Sequence, residues 1–335
     1  MRINQQGFGL IPVLVVIAVL GIAGFAGYRV MQNQKDKDAP QAPAPTSNQK
    51  SADSSKKEAF WKKGDYAIKG TYADADVIKI NDDTWRLYYA TQPEVQGHNF
   101  EVYSATSTDG KSWNQEPGVR KTMATFPDVV KTSDDKFRMY YQNAGEIESA
   151  ISTDGLTFTD EPGTRIDKSN DAGLVFDNVA APSVLRLGDG TYMMVYRGTV
   201  NKRYAQNTPN PTTQFLMWAT SSDGLTFTKN GIAIDSRNET LAGQLDGPDL
   251  VEWESGKLKV FSTTYAGVYS FDYDGKKFGE GTLAYAGNAK RDSIGFQGQP
   301  PGDPTLAKVS GTWYMYYGQT GAESGIHYAY AVNEN

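Results

Sequence analysis

The sequence contains no cysteine and only two histidines among its 335 residues. The absence of cysteine excludes disulfides, thiolate metal sites and a cysteine nucleophile. The scarcity of histidine argues against a histidine-rich zinc centre and against a Ser-His-Asp triad. The formal net charge is −6, so the chain also lacks the basic surface that nucleic-acid binding needs. No cofactor, metal or nucleic-acid partner is therefore predicted.

Charge is missing altogether between Phe8 and Tyr28. A helix of this length spans roughly 30 Å, the thickness of a bilayer core, and satisfies its own backbone polar groups. The run predicts a single transmembrane helix within an N-terminal membrane anchor, residues 1–31. The chain is then a single-pass cell-membrane protein with its main domain outside the cytoplasm. A cleaved signal peptide is the alternative, because Gly24 and Ala26 are small residues at alternating positions.

The first residues resemble a type IV prepilin leader. Gln6-Gly7-Phe8 followed by an apolar stretch matches the Gly-Phe site that the prepilin peptidase cleaves. That family carries a Glu five residues into the mature chain, where this sequence has Pro12. A plain membrane anchor is therefore the preferred interpretation.

Residues 32–59 contain no aromatic and no branched aliphatic side chain. Such a composition cannot bury enough apolar surface to offset the entropy lost on ordering. The segment is predicted to be a disordered Pro/Ala/Ser linker. It would hold a globular domain, residues 60–335, away from the membrane surface.

Five similar segments, each reading strand, tight polar turn, strand, recur in residues 60–335. They begin at Asp76, Asp128, Ser183, Asp249 and Thr305. Four strands per unit and five units predict an all-β fold, a five-bladed β-propeller. The last unit ends near Ala331 without its fourth strand, so residues 60–72 are expected to supply that strand and close the ring.

A second element follows the hairpins of the first three units. It reads Ser-Thr-Asp-Gly or Ser-Ser-Asp-Gly at residues 107–110, 152–155 and 221–224, and residues 272–275 are a degenerate copy. Asp-Gly suits a hairpin turn because glycine accepts a positive φ and the Asp side chain caps the turn. The turns resemble the Asp-box of sialidases, which has one more residue between Asp and Gly. They are predicted to be structural and to lie at the end of the propeller opposite the first strand's start, with the Trp or Phe that follows packed on the fourth strand.

Acidic residues stand at or beside the start of the innermost strand in four of the five blades. They are Asp74, Asp76, Asp128, Asp246, Asp249 and Asp303. Innermost strands all start at one mouth of the central channel, so these carboxylates should converge there. Clustered carboxylates raise one another's pKa and suit general acid–base chemistry. The alternative is that Asp simply begins strands after Pro or Gly turns.

The arrangement resembles the five-bladed glycoside hydrolases of the arabinanase/xylosidase and invertase/levansucrase kind, over the repeat pattern of residues 60–335. The resemblance implies that the inner Asp of blade 1, Asp74 or Asp76, is the base or nucleophile. It implies that Asp128 in blade 2 orients that group and stabilises the transition state. The family's third residue is a Glu acid in blade 3, and Ala180-Ala181 occupy that place here.

Further residues of the predicted mouth are candidates for substrate binding. They are Asp249, Asp303, Arg197, Asn143 and Glu146. Arg197 suits bidentate recognition of a carboxylate or of sugar hydroxyls. Its alternative role is a salt bridge to a neighbouring inner Asp.

Three functions remain open at this point. The first is a membrane-anchored, extracytoplasmic, glycan-active propeller that works as a glycoside hydrolase through inner-strand carboxylates. The second is a non-catalytic carbohydrate-binding or adhesive surface propeller that lacks the general acid, and the third is a protein-interaction scaffold. The Ala180-Ala181 gap favours binding, whereas the pair of Asp76 and Asp128 favours chemistry. The predicted partners are a carbohydrate or other surface glycan and, through the N-terminal helix, the membrane.

Overall fold

The computed structural model describes residues 60–93, 95–206, 208–292, 295–297 and 299–332. The predicted anchor and the predicted linker lie outside these residues, so both stay predictions. Within the described part of the chain, no helix is both long enough and apolar enough to cross a membrane.

Five four-stranded antiparallel sheets form the blades of a propeller, and this confirms the predicted all-β, five-bladed fold. Blade 1 contains β2 (Tyr72–Asn81), β3 (Thr84–Thr91), β4 (Val102–Ser107) and β5 (Asn114–Gln115). Blade 2 contains β6 (Thr125–Lys131), β7 (Phe137–Asn143), β8 (Glu146–Ser152) and β9 (Thr159–Asp160). Blade 3 contains β10 (Asn178–Arg186), β11 (Tyr192–Val200), β12 (Thr213–Ser221) and β13 (Thr228–Ile234). Blade 4 contains β14 (Asp246–Glu254), β15 (Lys257–Thr264), β16 (Gly267–Asp272) and β17 (Thr282–Tyr285).

Blade 5 takes its strands from both ends of the described chain. Its strands are β20 (Gly302–Val309), β21 (Thr312–Gln319), β22 (Gly325–Ala331) and, as the outermost, β1 (Trp61–Lys69). Trp61 pairs with Ala331 and Lys69 pairs with Gly325. The predicted closure by residues 60–72 is therefore confirmed, and it joins the last blade to the first strand of the domain. A small extra hairpin, β18 (Lys290–Asp292) and β19 (Gly295–Gln297), precedes blade 5, and a 3-10 turn covers Gly321–Glu323.

Each junction between neighbouring blades contains one hydrophobic cluster. Successive side chains of a strand point to opposite faces of its sheet, so a blade serves two junctions at once. Tyr88 packs in the junction of blades 1 and 2, whereas Tyr89 packs in the junction of blades 5 and 1. In the same way, Tyr140 packs in the junction of blades 2 and 3, and Tyr141 packs in the junction of blades 1 and 2. This alternation explains why paired tyrosines recur in the sequence repeats.

The two ends of the propeller differ in what they expose. The innermost strands β2, β6, β10, β14 and β20 all begin at one end, which we call the mouth face. The Asp-Gly turns lie at the other end, which we call the turn face, because β4, β8 and β12 run toward them from the mouth. The predicted separation of the Asp-Gly turns from the inner strand starts therefore holds.

Candidate functional site

A closed ring of hydrogen bonds joins the five innermost strands. The side-chain oxygen at one repeat position accepts a hydrogen bond from a backbone N–H of the next blade. The bonds are Asp76 to Val129 N (2.9 Å), Asp128 to Val184 N (3.1 Å), Ser183 to Leu250 N (2.8 Å), Asp249 to Leu306 N (2.8 Å) and Thr305 to Val77 N (3.2 Å). We call Asp76, Asp128, Ser183, Asp249 and Thr305 the inner ring. Residues at the same position of each repeat thus have the same structural role, which is to link one blade to the next. A single carboxylate or hydroxyl oxygen is enough for this role.

Burial raises the pKa of every carboxyl group in the inner ring. Loss of hydration raises the pKa of Asp76 to about 7. The pKa of Asp128 lies well above its usual range because the group is buried and faces Asp76 and Asp249. Burial and the proximity of Asp76 raise the pKa of Asp249 as well. The predicted convergence of these acids holds, while their predicted roles, catalysis for Asp76 and Asp128 and binding for Asp249, stay predictions.

A second ring lies two residues before the inner ring, at the mouth. Its members are Asp74, Phe126, Ala181, Gly247 and Asp303, and their φ angles are 52°, 49°, 47°, 47° and 46°. A bulge in the pairing of each innermost strand accompanies this left-handed backbone. A bulge redirects a side chain that regular pairing would place elsewhere. The five residues, which we call the mouth ring, are thereby held around the channel opening.

Two carboxyl groups of the mouth ring are within hydrogen-bonding distance of each other. Asp74 is 7% exposed, and its carboxyl group shares a hydrogen bond with that of Asp303. Burial, with a contribution from Asp246, raises the pKa of Asp74 to about 7 against the opposing effects of the Phe126 N–H and Arg197. Burial and repulsion from Asp246 and Asp74 raise the pKa of Asp303 well above its usual range. Because two adjacent carboxylates cannot both ionise readily, the pair retains a proton near neutral pH.

Beside this pair, Arg197 forms an ion pair with Asp246. Arg197 is 9% exposed at its side chain and Asp246 is 22% exposed, so the ion pair is largely shielded from water. The guanidinium also lies over the ring of Phe126, 5.1 Å from its centroid. The alternative role for Arg197, a salt bridge to an inner Asp, is thus present. It places a charged carboxylate next to a carboxyl pair that holds a proton.

The mouth ring and the residues that follow it line a small cavity. Its volume is about 30 Å³, and Pro127, Pro182, Pro248 and Pro304 form part of its wall. A cavity of this size holds roughly two or three water molecules. It is smaller than the 300–1,000 Å³ typical of ligand pockets, so a sugar ring has to bind outside it, above the mouth ring.

Two predicted binding residues lie at the edge of the mouth face. Asn143 and Glu146 flank the turn between β7 and β8. Asn143 donates to Glu148 (3.2 Å), and Glu146 accepts from Thr164 (3.5 Å). Both bonds stay within blade 2, whereas Asp303 and Arg197 converge with Asp74. The binding role predicted for Asn143 and Glu146 stays a prediction.

Asp246 is the member of the site that the sequence interpretation did not select. It is one of the inner acids of the sequence, but Asp249 is the predicted binding residue because it occupies the repeated position. The sequence signal for it is the glycine of Asp246-Gly247-Pro248, because glycine readily accepts the left-handed backbone that follows the acid. Among the described residues, no group of three or more His, Asp or Glu side chains is arranged to hold a metal ion.

No protein-family model and no curated protein matches the sequence. Solved structures do match the fold. A thermostable family-43 glycoside hydrolase is 17% identical, with a TM-score of 0.57 over 77% of this chain and 88% of that one. An α-L-arabinofuranosidase from Clostridium thermocellum is 16% identical, with a TM-score of 0.51 over 74% of this chain and 82% of that one.

A third similar structure belongs to the GH130 family of mannoside phosphorylases, which contains glycoside hydrolases that target β-1,2 mannosidic linkages in Candida mannan. It is 14% identical, with a TM-score of 0.57 over 84% of this chain and 96% of that one. Identities this low establish the fold alone. The chain therefore has the five-bladed propeller fold that the sequence resemblance implied, and its structural neighbours are glycoside hydrolases of the family-43 and GH130 type.

Proposed function

We propose that this chain acts on glycans at its mouth face and that it hydrolyses glycosidic bonds there. The observation that carries the proposal is the hydrogen-bonded pair of Asp74 and Asp303, which holds a proton beside the Asp246–Arg197 ion pair. Glycoside hydrolysis needs one protonated and one ionised carboxyl group on either side of the scissile bond. The fold of the neighbouring glycoside hydrolases supports the same reaction class.

In the proposed reaction, the pair of Asp74 and Asp303 donates its proton to the glycosidic oxygen as that bond breaks. The carboxylate of Asp246 takes a proton from the attacking water, whose oxygen bonds to the sugar carbon. Asp74 and Asp303 lie too close together to be the acid and the base themselves, because hydrolases separate those groups by about 5 Å or more. They work instead as one unit with a shared proton. Arg197 holds Asp246 in place.

A second candidate function is glycan binding without turnover. Two observations favour it: Ala180-Ala181 stand where the hydrolases that the sequence resembles carry their acid, and the mouth cavity is only about 30 Å³. In that case the mouth carboxyl groups and Arg197 would bind sugar hydroxyls.

The test is an incubation of the full chain with arabinan, xylan, mannan and levan, in which both binding and released sugar are measured. We expect turnover, and we expect Asp303→Asn and Asp74→Asn to lower it by about 100-fold or more. Turnover should also fall as pH rises through about 7, because the pair then loses its proton.

The matched control is Asp154→Asn, in an Asp-Gly turn on the turn face, which should leave turnover unchanged. Binding without any released sugar would favour the second candidate function. Loss of activity in Asp154→Asn but not in Asp303→Asn would mean that the site lies on the turn face and not at the mouth.

We also propose that the propeller is held outside the cytoplasm by a single membrane span at its N-terminus. The uncharged run from Phe8 to Tyr28 supports this proposal, together with the Pro/Ala/Ser composition of residues 32–59.

A further inference from the structure

On the turn face, three of the five blade junctions are filled by an Asp-Gly turn. The hydroxyls of Tyr316, Tyr88 and Tyr140 each donate to the glycine carbonyl of the turn in the next blade, at 2.8 Å in every case. The aromatic residue after the turn packs on the same tyrosine. The ring pairs are Trp113–Tyr316 (5.3 Å), Phe158–Tyr88 (6.0 Å) and Phe227–Tyr140 (5.9 Å).

The junction of blades 4 and 5 lacks such a turn. The outermost strand of blade 5 is β1, which reaches the blade from the N-terminal side, so no β-turn connects it to β22. The blade 4 counterpart of Tyr88 is Phe261, because each pairs with an inner-ring residue, Phe261 with Asp249 and Tyr88 with Asp76. Phe261 has no hydroxyl and donates no such bond.

Trp253 occupies the place that the missing turn leaves. It lies where the pairing of β14 with β15 is bulged, between Glu252 and Glu254. Its ring packs 5.4 Å from Phe261, as Phe158 packs on Tyr88 at the junction of blades 1 and 2. It also stacks on Trp313 of blade 5, at 4.5 Å with the two ring planes only 8° apart, and the ammonium of Lys259 lies 5.7 Å from the centroid of its ring.

The result is an open groove of about 350 Å³ on the turn face. It is lined by Glu252, Trp253, Glu254, Ser255, Lys308 and Trp313. Both indoles are half-buried, and Phe60, 39% exposed, extends the aromatic surface 6.0 Å from Trp253. The ammonium of Lys308 lies 6.0 Å from the ring centroid of Trp313, on an exposed side chain that can move aside.

We propose that this groove binds a polysaccharide chain at a second site, separate from the mouth. A sugar ring offers an apolar face that stacks on indole and a rim of hydroxyls that needs hydrogen-bond donors and acceptors. The groove supplies both, with two tryptophans flanked by two carboxylates, a serine hydroxyl and an ammonium. Its volume lies within the range of ligand pockets, which the mouth cavity does not reach. The choice of a saccharide rests on the proposed function, whereas the groove itself does not.

The experiment measures retention of the full chain in native gels that contain arabinan, xylan, mannan or levan. Trp313→Ala and Lys308→Ala are compared with Trp85→Ala, which removes the tryptophan at the same repeat position of blade 1. We expect at least one polymer to retard the parent chain. Trp313→Ala should weaken that affinity by about tenfold or more and Lys308→Ala by a smaller factor, with Trp85→Ala unchanged.

The two proposals fail in different ways. Asp303→Asn should abolish turnover of a small aryl glycoside and leave polymer retention intact. The groove variants should weaken polymer retention and leave turnover of the aryl glycoside intact. Lys308→Ala keeps the test valid if Trp313→Ala fails to fold, because Lys308 is exposed. Equal retention of the parent, Lys308→Ala and any folded Trp313→Ala chain would overturn the groove proposal, as would no retention on any polymer.

Discussion

Gly247 lies against Asp303 at the mouth, and no other residue fits there. A Cβ at this position would overlap the carboxyl oxygen and the Cα of Asp303, and would lie 2.7 Å from its Cβ. The φ of +47° is also unfavourable for any residue with a side chain. The glycine therefore fixes how closely blades 4 and 5 approach at the carboxyl pair.

Gly247→Ala should displace Asp303 and disrupt the pair it forms with Asp74. We expect a loss of about 1–3 kcal/mol in the free energy of unfolding, because overlap and backbone strain add. We also expect the activity or glycan affinity of the mouth to fall. Gly188→Ala is the matched control, because a Cβ there meets nothing within 4 Å. Equal effects of the two substitutions would contradict the role given to Gly247.

The raised pKa values of the ring carboxyl groups make stability depend on pH. In the folded chain, Asp74 and Asp76 titrate at about 7, whereas the same groups titrate near 3.8 when the chain is unfolded. The folded state then binds more protons between about pH 4 and pH 7, so the stability contributed by these groups is present below that window and lost as pH rises through it. We expect the free energy of unfolding to fall across the window in urea titrations followed by tryptophan fluorescence.

Asp128→Asn should make that decline shallower. The substitution removes the carboxyl group that faces both Asp76 and Asp249, and the amide oxygen can still accept the Val184 N–H. Asp154→Asn should not change the slope, because the backbone N–H groups of Thr157 and Leu156 hold the pKa of Asp154 at about 2, below the window. A decline that is as steep in Asp128→Asn as in the parent would count against this explanation.

At the scale of the element, the Asp-Gly turns join one blade to the next. The Oδ1 of Asp154 accepts two backbone N–H groups within its own turn, and the carbonyl of Gly155 accepts the Tyr88 hydroxyl of the preceding blade. A Cβ on Gly155 would lie 2.7 Å from that hydroxyl oxygen. The turn therefore fits only a glycine at the point of contact.

Replacing the junction tyrosines by phenylalanine should destabilise the propeller without affecting the mouth. Tyr88→Phe, Tyr140→Phe and Tyr316→Phe each remove one buried hydrogen bond, and we expect each to lower the free energy of unfolding by about 1 kcal/mol. Tyr103→Phe is the control, since its half-buried ring packs on Tyr89 and its hydroxyl makes no hydrogen bond within the described residues. Unfolding in urea measures all four, and a larger loss in Tyr103→Phe would refute the proposed junction role.

At the scale of the whole molecule, the candidate site lies at one end of the propeller and the aromatic groove at the other. The groove lies beside Phe60, where the described chain begins. Trp61 of β1 pairs with Ala331 at the turn face, so the described chain begins at the end of the propeller opposite the mouth.

The proposed membrane tether predicts a simple fractionation result. The full chain should sediment with membranes, and protease added outside intact cells should cut within residues 32–59 and release an intact propeller of residues 60–335. The reason is that the linker has no aromatic or branched aliphatic side chain with which to form a core, whereas the blades are paired around a closed ring. Full-length chain in the soluble cytoplasmic fraction, or early cuts inside blades 2–4, would contradict the prediction.

The sequence by itself determined the architecture. Period, paired tyrosines and Asp-Gly turns specified five blades, the closure by residues 60–72 and the ends at which acids and turns lie, because these are local patterns repeated in register. The same patterns correctly predicted that the inner acids lie at the mouth end of the channel. It did not place Trp113, Phe158 and Phe227, which were expected on their own fourth strands and pack on tyrosines of the preceding blade.

Only the tertiary structure decided which acids form the candidate site. Asp74 and Asp76 are only two residues apart. A bulge with left-handed backbone at Asp74 places Asp74 in the mouth ring and Asp76 in the inner ring. Asp246 enters the site through Arg197, a residue from another blade. The Trp253–Trp313 groove likewise exists because two blades meet where a turn is missing. Repeat patterns fix where a strand lies, but the direction of a side chain at a bulge and its partner across a junction depend on packing between segments far apart in the chain.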